Sequence, residues 1–358
     1  MIFIGDVASP QKQYSDFFYD QIKGFVKDKD LIFNLEGLVS DDLSINSSVP
    51  ILFNHSSIIE QIKKMNCKVV TLANNHTLDQ PSLFENTIQK LNINGISYCG
   101  AGYSIEQANK PSIFYSQREK IIMFNQCWSV MLQHQKNPSQ GVHVATIDKE
   151  ILFKNISKHK KENPDAKLVV YFHWNFDLEK LPFPADRRIA KGLIDLGVDL
   201  VLGCHSHCIQ GAEYYKGKPI VYGLGNFFIP WYTYINGHIS FPDFSKRELA
   251  VEWNPQTNQV VLNFFRYNPD NHQLELYHKE QFSENNKGYI FKEFSPYQGL
   301  SDKEYKVFFL KHRRKKYLVP VLNTYDKNTT NFIKNTLIIS RIRILRFLAK
   351  LKLRSWNN

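Results

Sequence analysis

The chain has 358 residues, of which 43% are hydrophobic and 14% aromatic, enough to bury the core of one large domain or of two ordinary ones. The formal charge of +11 is concentrated at the C-terminal end, because residues 302–358 contain 15 Lys and Arg against 3 Asp and Glu. The rest of the chain is close to neutral, so overall charge gives no argument for nucleic-acid binding, and five cysteines in so long a chain argue against a disulfide scaffold.

The start of the chain, MIFIGDVASP, lacks the basic stretch and long apolar run of a secretory signal. No apolar run reaches the 18 residues typical of a transmembrane helix. These features and the odd number of cysteines predict a cytoplasmic protein.

Six short apolar runs, each ending at polar residues, predict buried β-strands. In chain order they are MIFIGD, DLIFNLEG, CKVVTLANNH, AKLVVYFHWNFD, VDLVLGCHSH and KPIVYGLGNFF. Helical patterns lie between them, for example at residues 82–92 and 186–197. Apolar strands that alternate with helices indicate an α/β sheet covered by helices.

Three later segments, ELAVEW, QVVLNFFRY and HQLELYH, predict antiparallel strands that complete the sheet. The alternation of strands and helices ends after about Lys279. We therefore predict an α/β domain over residues 1–285 and a basic, mainly helical extension over residues 286–358.

Side chains that can bind metals follow the predicted strands, where open α/β sheets place their sites. They are Asp6, Glu36, Asn75, His76, His173, His205 and His207. Carboxylate, amide and imidazole ligands together suit Mn, Fe or Zn. The set predicts a site for two divalent ions, or for one. Two metals that share a carboxylate are the usual arrangement for phosphoester hydrolysis, with a nearby histidine as acid.

The segment GCHSHC, residues 203–208, also allows a second interpretation, in which its cysteines form a thiolate zinc site. Strand alternation predicts that Cys204 faces away from His205, and free cysteines are commonly buried packing residues. We therefore favour the distributed site over a thiolate site.

Seven motifs make the sequence resemble the CapA family of capsule and poly-γ-glutamate synthesis proteins, which is related to the calcineurin-like metallophosphoesterases. They occur in the family's order over about residues 1–230 and are GDV, NLEG, LANNHTLD, GAGYS, HW, LIDLGVDLVLGCHSHCIQG and KPIVYGLGNFF. The resemblance implies a four-layer α/β/β/α sandwich with a metal site at one edge of two packed sheets.

The resemblance also implies roles for individual residues. Glu36 would take the place of the bridging carboxylate, His76 would act as acid, and Asp79 would orient His76. The implied metal ligands are Asp6, Glu36, Asn75, His173, His205 and His207. The residues we expect to contact the substrate are Asn34, Trp174, Arg187 and Asn226. Trp174 beside His173 also fits a buried core pair.

The chain departs from the family pattern at several positions. The sequence DVAS lacks the histidine that follows the first aspartate in classical phosphoesterases, which weakens or removes the first metal. Asn175 stands for the family's usual glycine, Asp177 for its glutamate, and Ser206 for its usual proline. These three changes leave the substrate less defined than the metal site.

The C-terminal segment NFIKNTLIISRIRILRFLAKLKLR predicts an amphipathic helix. One face carries Leu337, Ile344, Leu348 and Leu351, and another carries Arg343, Arg346, Lys350 and Arg354. Residues 330–358 therefore fit either an anionic membrane surface or packing against the domain or a partner subunit. The basic run at residues 311–316 favours contact with a membrane or a polyanion, and no nucleic-acid-reading motif is present.

The sequence thus predicts a metal-dependent, phosphoesterase-like hydrolase that acts in the synthesis or export of an anionic capsule polymer, either a polysaccharide or poly-γ-glutamate. Its partner would be that polymer or a phosphorylated substrate. The expected location of the protein is the cytoplasm, where its tail could contact the inner face of the cell membrane. One alternative is amide-bond hydrolysis or transfer on a glutamyl polymer. The other is a non-catalytic, membrane-associated assembly or export factor.

Overall fold

A computed structural model describes residues 1–41, 51–132, 141–231, 239–284, 289–314 and 319–350. Its strands are β1 Ile2–Val7, β2 Leu31–Leu35, β3 Leu38–Ser40, β4 Phe53–His55, β5 Cys67–Thr71, β6 Ser97–Cys99, β7 Ala101–Gly102, β8 Ser112–Ser116, β9 Glu119–Cys127, β10 His143–Val144, β11 Lys167–His173, β12 Leu200–Cys204, β13 Ile209–Tyr215, β14 Lys218–Leu224, β15 Arg247–Trp253, β16 Val260–Tyr267 and β17 Leu274–Phe282. Its helices are α1 Lys12–Val26, α2 Ser57–Lys64, α3 Phe84–Ile93, α4 Ile105–Ala108, α5 Lys149–Glu162, α6 Pro184–Asp195, α7 Tyr289–Phe294, α8 Asp302–His312 and α9 Thr329–Lys350.

Two large sheets form the centre of the fold. The first has the strand order β17-β16-β15-β1-β2-β5-β6, and the second has the order β13-β14-β12-β11-β9-β8. Strands β1, β2, β5 and β6 are parallel, as are β9, β11, β12 and β14. The predicted late strands are confirmed as antiparallel additions to the first sheet beside β1.

Three apolar clusters show how these layers pack. One lies between the sheets and includes Phe3, Val169 and Leu202. A second joins the first sheet to α1, α2 and α3, and a third joins the second sheet to α5, α6 and α8. Each fully buried aliphatic side chain contributes roughly 1.5–3 kcal/mol to folding. The predicted α/β class and four-layer sandwich are confirmed.

The C-terminal extension packs on the outer face of the second sheet. Tyr305 and Phe309 of α8 and Ile338 of α9 belong to the same apolar cluster as α5 and α6. The predicted boundary at residue 285 lies outside the described residues, so the division into two domains stays a prediction.

The two sheets contact each other near the edge where β1, β2, β5, β11 and β12 end. The Tyr171 hydroxyl donates to the Ile4 carbonyl oxygen at 2.7 Å, and the Asp6 amide donates to the Gly225 carbonyl oxygen at 3.2 Å. A Cβ at Gly5 would lie 2.1 Å from that Gly225 oxygen, so only glycine allows this approach. The strand ends of both sheets therefore converge on one small volume.

Candidate metal centre

The sequence-predicted metal ligands converge at this edge. Asp6 lies in β1, Glu36 follows β2, Asn75 follows β5, His173 ends β11, and His205 follows β12. Within the described ranges, two groups place their ligand atoms within 4.8 Å of one another. The first group is Asp6, His173 and Cys204, and the second is Glu36, His205 and His207.

Glu36 is fully buried, and no described residue donates a hydrogen bond to either of its carboxylate oxygens. Its Oε1 lies 3.9 Å from Nε2 of His76 and 3.9 Å from Nε2 of His173. Burial raises the pKa of Glu36 well above its usual range, and nearby Asp6, Asp177 and Asp79 raise it further. A buried carboxylate without donors, bordered by imidazole nitrogens, is the arrangement expected of a metal ligand.

Asp6 is also fully buried, but it has hydrogen-bond partners. Its Oδ1 accepts from Asn34 Nδ2 at 2.8 Å, and its Oδ2 accepts from the His205 amide at 3.0 Å. His173 Nδ1 lies 3.8 Å from Oδ1, and His207 Nδ1 lies 3.7 Å from Oδ2. Burial raises the pKa of Asp6, although these neighbours partly oppose the effect. The carboxylate is thus fixed in orientation beside the histidines.

His173 and Asn75 connect the two sheets, since His173 Nε2 lies 2.5 Å from Asn75 Oδ1. Burial lowers the pKa of His173 well below its usual range, and the nearby histidines lower it further. The ring is therefore neutral at neutral pH, which is the form that binds metals.

His205 and His207 adopt left-handed backbone conformations, with φ of +88° and +52°. Such values are uncommon for residues other than glycine and place both rings at the strand end. His205 Nε2 lies 3.1 Å from Asp177 Oδ1, and His207 Nδ1 lies 2.6 Å from Asn226 Oδ1. The three histidine rings pack side by side. The ring centroids of His173 and His205 lie 4.5 Å apart, and those of His205 and His207 lie 5.7 Å apart.

His76 and Asp79 form a pair at the partly exposed side of the cluster. His76 Nδ1 lies 2.6 Å from Asp79 Oδ2, which also accepts from the Leu52 amide at 2.9 Å. This contact directs His76 Nε2 towards Glu36 and leaves 21% of the histidine side chain exposed. The predicted role of His76 as the acid stays a prediction, and the contact shows only that Asp79 holds the ring with Nε2 facing the cluster.

Asn226 lies in the turn after β14, between Gly225 at φ +84° and Phe227 at φ +49°. Its Oδ1 contacts His207, while its Nδ2 has no hydrogen-bond partner among the described residues. Buried Glu248 of β15 supports this turn by accepting from the Phe227 amide at 3.1 Å. Sequence reasoning missed Glu248, and the available signal was a glutamate at the start of the predicted strand ELAVEW.

Cys204 corrects one prediction. Its Sγ lies 3.3 Å from His173 Nδ1, so its side chain is part of the cluster and not on the opposite face. Alternation fails here because the chain leaves extended geometry at His205. Burial raises the pKa of the Cys204 thiol well above its usual range, which keeps it protonated. Cys208 lies in neither ligand group, and its Sγ contacts the Glu179 carbonyl oxygen at 3.4 Å, so the two cysteines of GCHSHC do not share a thiolate zinc site.

Three predicted substrate contacts need correction. Asn34 is fully buried and holds Asp6 in place, while its Oδ1 accepts from Thr71 Oγ1 at 3.2 Å and Asn74 Nδ2 at 3.1 Å. Trp174 is fully buried, stacks on Phe172 at 4.4 Å between centroids, and is therefore a core residue.

Arg187 is the third of these corrections. Its guanidinium is buried and donates to both carboxylate oxygens of Glu213, each at 2.7 Å. It also lies 4.1 Å from the ring centroid of Tyr305 in α8. An arginine enclosed by these groups supports the helical layer and is not available to a phosphate or carboxylate ligand.

The departure at Asn175 has a structural explanation. Asn175 has φ of +73°, which a glycine adopts freely and asparagine tolerates better than most residues. Its Nδ2 donates to the Leu181 carbonyl oxygen at 3.0 Å and to Asp186 Oδ2 at 3.2 Å. Asn175 therefore shapes the loop after β11 through buried contacts.

Comparison with known proteins agrees with the sequence motifs. The family "Bacterial capsule synthesis protein PGA_cap" matches residues 2–230. The "PGA biosynthesis protein CapA" of Bacillus subtilis is 32% identical over 47% of this chain and 44% of its own length. The "Capsule biosynthesis protein CapA" of Bacillus anthracis is 29% identical over 47% of this chain and 42% of its own length.

A third relative, the "Probable polyglutamine synthesis accessory protein" of Mycobacterium tuberculosis, is 26% identical over 59% of this chain and 58% of its own length. The chain thus spans about half the length of the curated relatives that it matches. Among solved structures, a putative 5'-nucleotidase from Staphylococcus aureus matches with 12% identity and a TM-score of 0.44, over 83% of this chain and 58% of that one. The match to residues 2–230 establishes that this chain belongs to the PGA_cap family of bacterial capsule synthesis proteins.

Proposed function

We propose that this family member is a metal-dependent, phosphoesterase-like hydrolase that acts in making or exporting an anionic capsule polymer. The observation that carries the proposal is Glu36, a buried carboxylate with no hydrogen-bond donor among the described residues. Leaving such a group uncompensated costs several kcal/mol, which a bound cation would offset. The names of the Bacillus relatives support the capsule pathway.

The donor set fits one or two divalent ions such as Mn, Fe or Zn. The residues that would hold them are Asp6, Glu36, Asn75, His173, His205 and His207. A bound cation would supply Lewis-acid polarisation of a phosphoryl or carbonyl oxygen. The lowered pKa of His173 keeps its imidazole in the neutral form that binds a cation, and the raised pKa of Glu36 reflects a buried carboxylate that lacks the counter-charge a cation would supply.

His76 is suited to move the proton in such a reaction. Asp79 fixes Nδ1, so Nε2 is the nitrogen that faces the cluster and can donate to a leaving oxygen. The partial exposure of His76 allows a substrate to reach it. Asn226 Nδ2 is the second group suited to contact substrate, as a neutral donor to an oxygen beside His207.

The test is hydrolysis by Mn²⁺-loaded protein of a chromogenic phosphodiester, a chromogenic phosphomonoester and a γ-glutamyl anilide. We expect turnover of a phosphoester, lost in Glu36→Ala and His76→Asn and retained in His312→Asn, which alters an exposed histidine on α8. Turnover of the anilide alone would replace phosphoester chemistry by amide chemistry. Metal binding without turnover of any probe would favour an assembly or export factor.

A further inference from the structure

Helix α9 is attached to the domain through one face. Ile338 is buried in the apolar cluster of the second sheet, and Ile342 packs partly against it. Asn331 Nδ2 donates to the Thr324 and Asp326 carbonyl oxygens, each at 2.9 Å, and Lys334 Nζ donates to the Val321 carbonyl oxygen at 2.9 Å. The prediction that this helix packs on the domain is thus correct for this face alone.

The other face of α9 exposes a set of large apolar side chains that we call the apolar stripe. Each is between 53% and 71% exposed, and they are Phe332, Ile333, Leu337, Ile344 and Phe347. At about 100° of rotation per residue, all five lie within an arc of about 140°. Thr336, Ser340 and Arg343 lie within the same arc. Five large apolar side chains exposed on one side of a helix over four turns are unusual on a free surface and typically mark a docking site.

The charge of α9 indicates what the apolar stripe contacts. The sequence of Thr329–Lys350 contains five basic residues and no acidic residue. They are Lys334, Arg341, Arg343, Arg346 and Lys350. A second copy of this helix would bring like charges together, which opposes dimerisation through this face. A polyanion alone would not require the apolar side chains. An anionic lipid surface satisfies both features, with basic groups at the headgroups and apolar groups below them.

We propose that α9 docks on the surface of an anionic lipid bilayer, lies in the plane of the interface and inserts the apolar stripe. Within the parts of the chain that the structure describes, no helix is long and apolar enough to cross a membrane. The proposed contact is peripheral, because a helix in the plane of the interface leaves the two sheets outside the bilayer. This inference stands independently of the metal centre, because no residue of the stripe belongs to it.

The experiment is flotation of the full chain with vesicles of phosphatidylcholine alone and of phosphatidylcholine mixed with phosphatidylglycerol. We expect flotation only with the anionic vesicles, weakening as salt rises. The double variant Leu337→Glu/Ile344→Glu should bind at least tenfold more weakly. The matched control is Val307→Glu/Leu310→Glu, which adds the same charge at exposed apolar positions of α8 and should bind within about twofold of wild type.

A second variant separates the charge from the apolar contact. Arg343→Gln should weaken binding to anionic vesicles about fivefold without altering the melting temperature. Equal flotation of wild type and Leu337→Glu/Ile344→Glu would overturn the proposal, as would equal binding to neutral and anionic vesicles. Wild-type protein that forms dimers through α9 and does not float would overturn it in favour of a second copy as the occupant.

Discussion

Two buried clusters of ionisable side chains in this molecule differ in how their charge is balanced. Beneath α6, Arg187 donates to both oxygens of Glu213, and the Tyr222 hydroxyl donates to Glu213 at 2.5 Å. At the strand ends, Glu36 has no donor among the described residues. The first cluster supplies its own counter-charge and therefore supports the fold. We propose that a bound cation completes the second, which makes it the candidate functional centre.

The difference between the two clusters can be tested most directly at the Arg187 cluster. Arg187→Ala leaves Glu213 buried without its counter-charge, so we expect the free energy of unfolding to fall by about 3–5 kcal/mol. Metal binding per folded chain should be unchanged. Urea denaturation measures the first and metal analysis the second.

The control is Arg188→Ala, which removes a half-exposed ion pair with Asp302 and should cost less than about 1 kcal/mol. A loss below 1 kcal/mol for Arg187→Ala, or lost metal binding in its folded fraction, would remove the distinction between the clusters.

The strand-end cluster should respond in the opposite way, with function lost and stability kept. His76→Asn removes the proton donor, so we expect phosphoester turnover to fall about a hundredfold while the melting temperature changes little. Asp79→Asn should lower turnover less, because Nδ1 keeps an acceptor in the amide oxygen. Steady-state kinetics across pH checks both, and equal turnover in His76→Asn and wild type would exclude His76 as the acid.

The pH dependence of stability provides a further test of the strand-end cluster. Because the pKa of Glu36 is raised in the folded chain, the folded chain holds that proton to higher pH than the unfolded chain does. In metal-free buffer, the unfolding free energy of wild type relative to Glu36→Gln should fall as pH rises above about 4.5, by up to about 1.4 kcal/mol per pH unit. Saturating Mn²⁺ should reverse this trend for wild type alone, and parallel curves in metal-free buffer would contradict it.

The smallest expected effect concerns Cys204. Its sulfur lies 3.3 Å from Nδ1 of His173, and the other ring nitrogen, Nε2, faces Asn75 and Glu36. Cys204→Ala should weaken metal affinity about tenfold, while Cys208→Ala, at a buried thiol that contacts the Glu179 carbonyl oxygen, should not. Competition with a chelating dye measures both constants, and identical values would assign Cys204 to packing alone.

Much of the architecture could be predicted from sequence because its signals are local. The apolar strands and the polar residues that follow them identify Asp6, Glu36, Asn75 and His173, and parallel strands bring their ends to one edge. Local signals do not predict which sheet the late strands join, because β15 pairs with β1 over a separation of more than 240 residues.

The errors arose where local rules stop applying. Alternation misplaced Cys204 because His205 takes a positive φ that its residue type does not announce. The pairing of Arg187 with Glu213 links a helix to a strand, and no spacing in the sequence predicts it. The sequence also allows Trp174 to be a core residue, and its buried stack on Phe172 supports that interpretation.

The central claim is that Glu36 organises a cation site, and metal content per chain tests it most directly. We would load wild type, Glu36→Ala, Glu36→Gln and the surface control Asp302→Asn with Mn²⁺, remove free metal, and quantify the bound metal. We predict about one to two ions per chain in wild type and Asp302→Asn, with a sharp fall in both Glu36 variants. Metal content that is the same in all four proteins, or that is absent from wild type, would contradict the account.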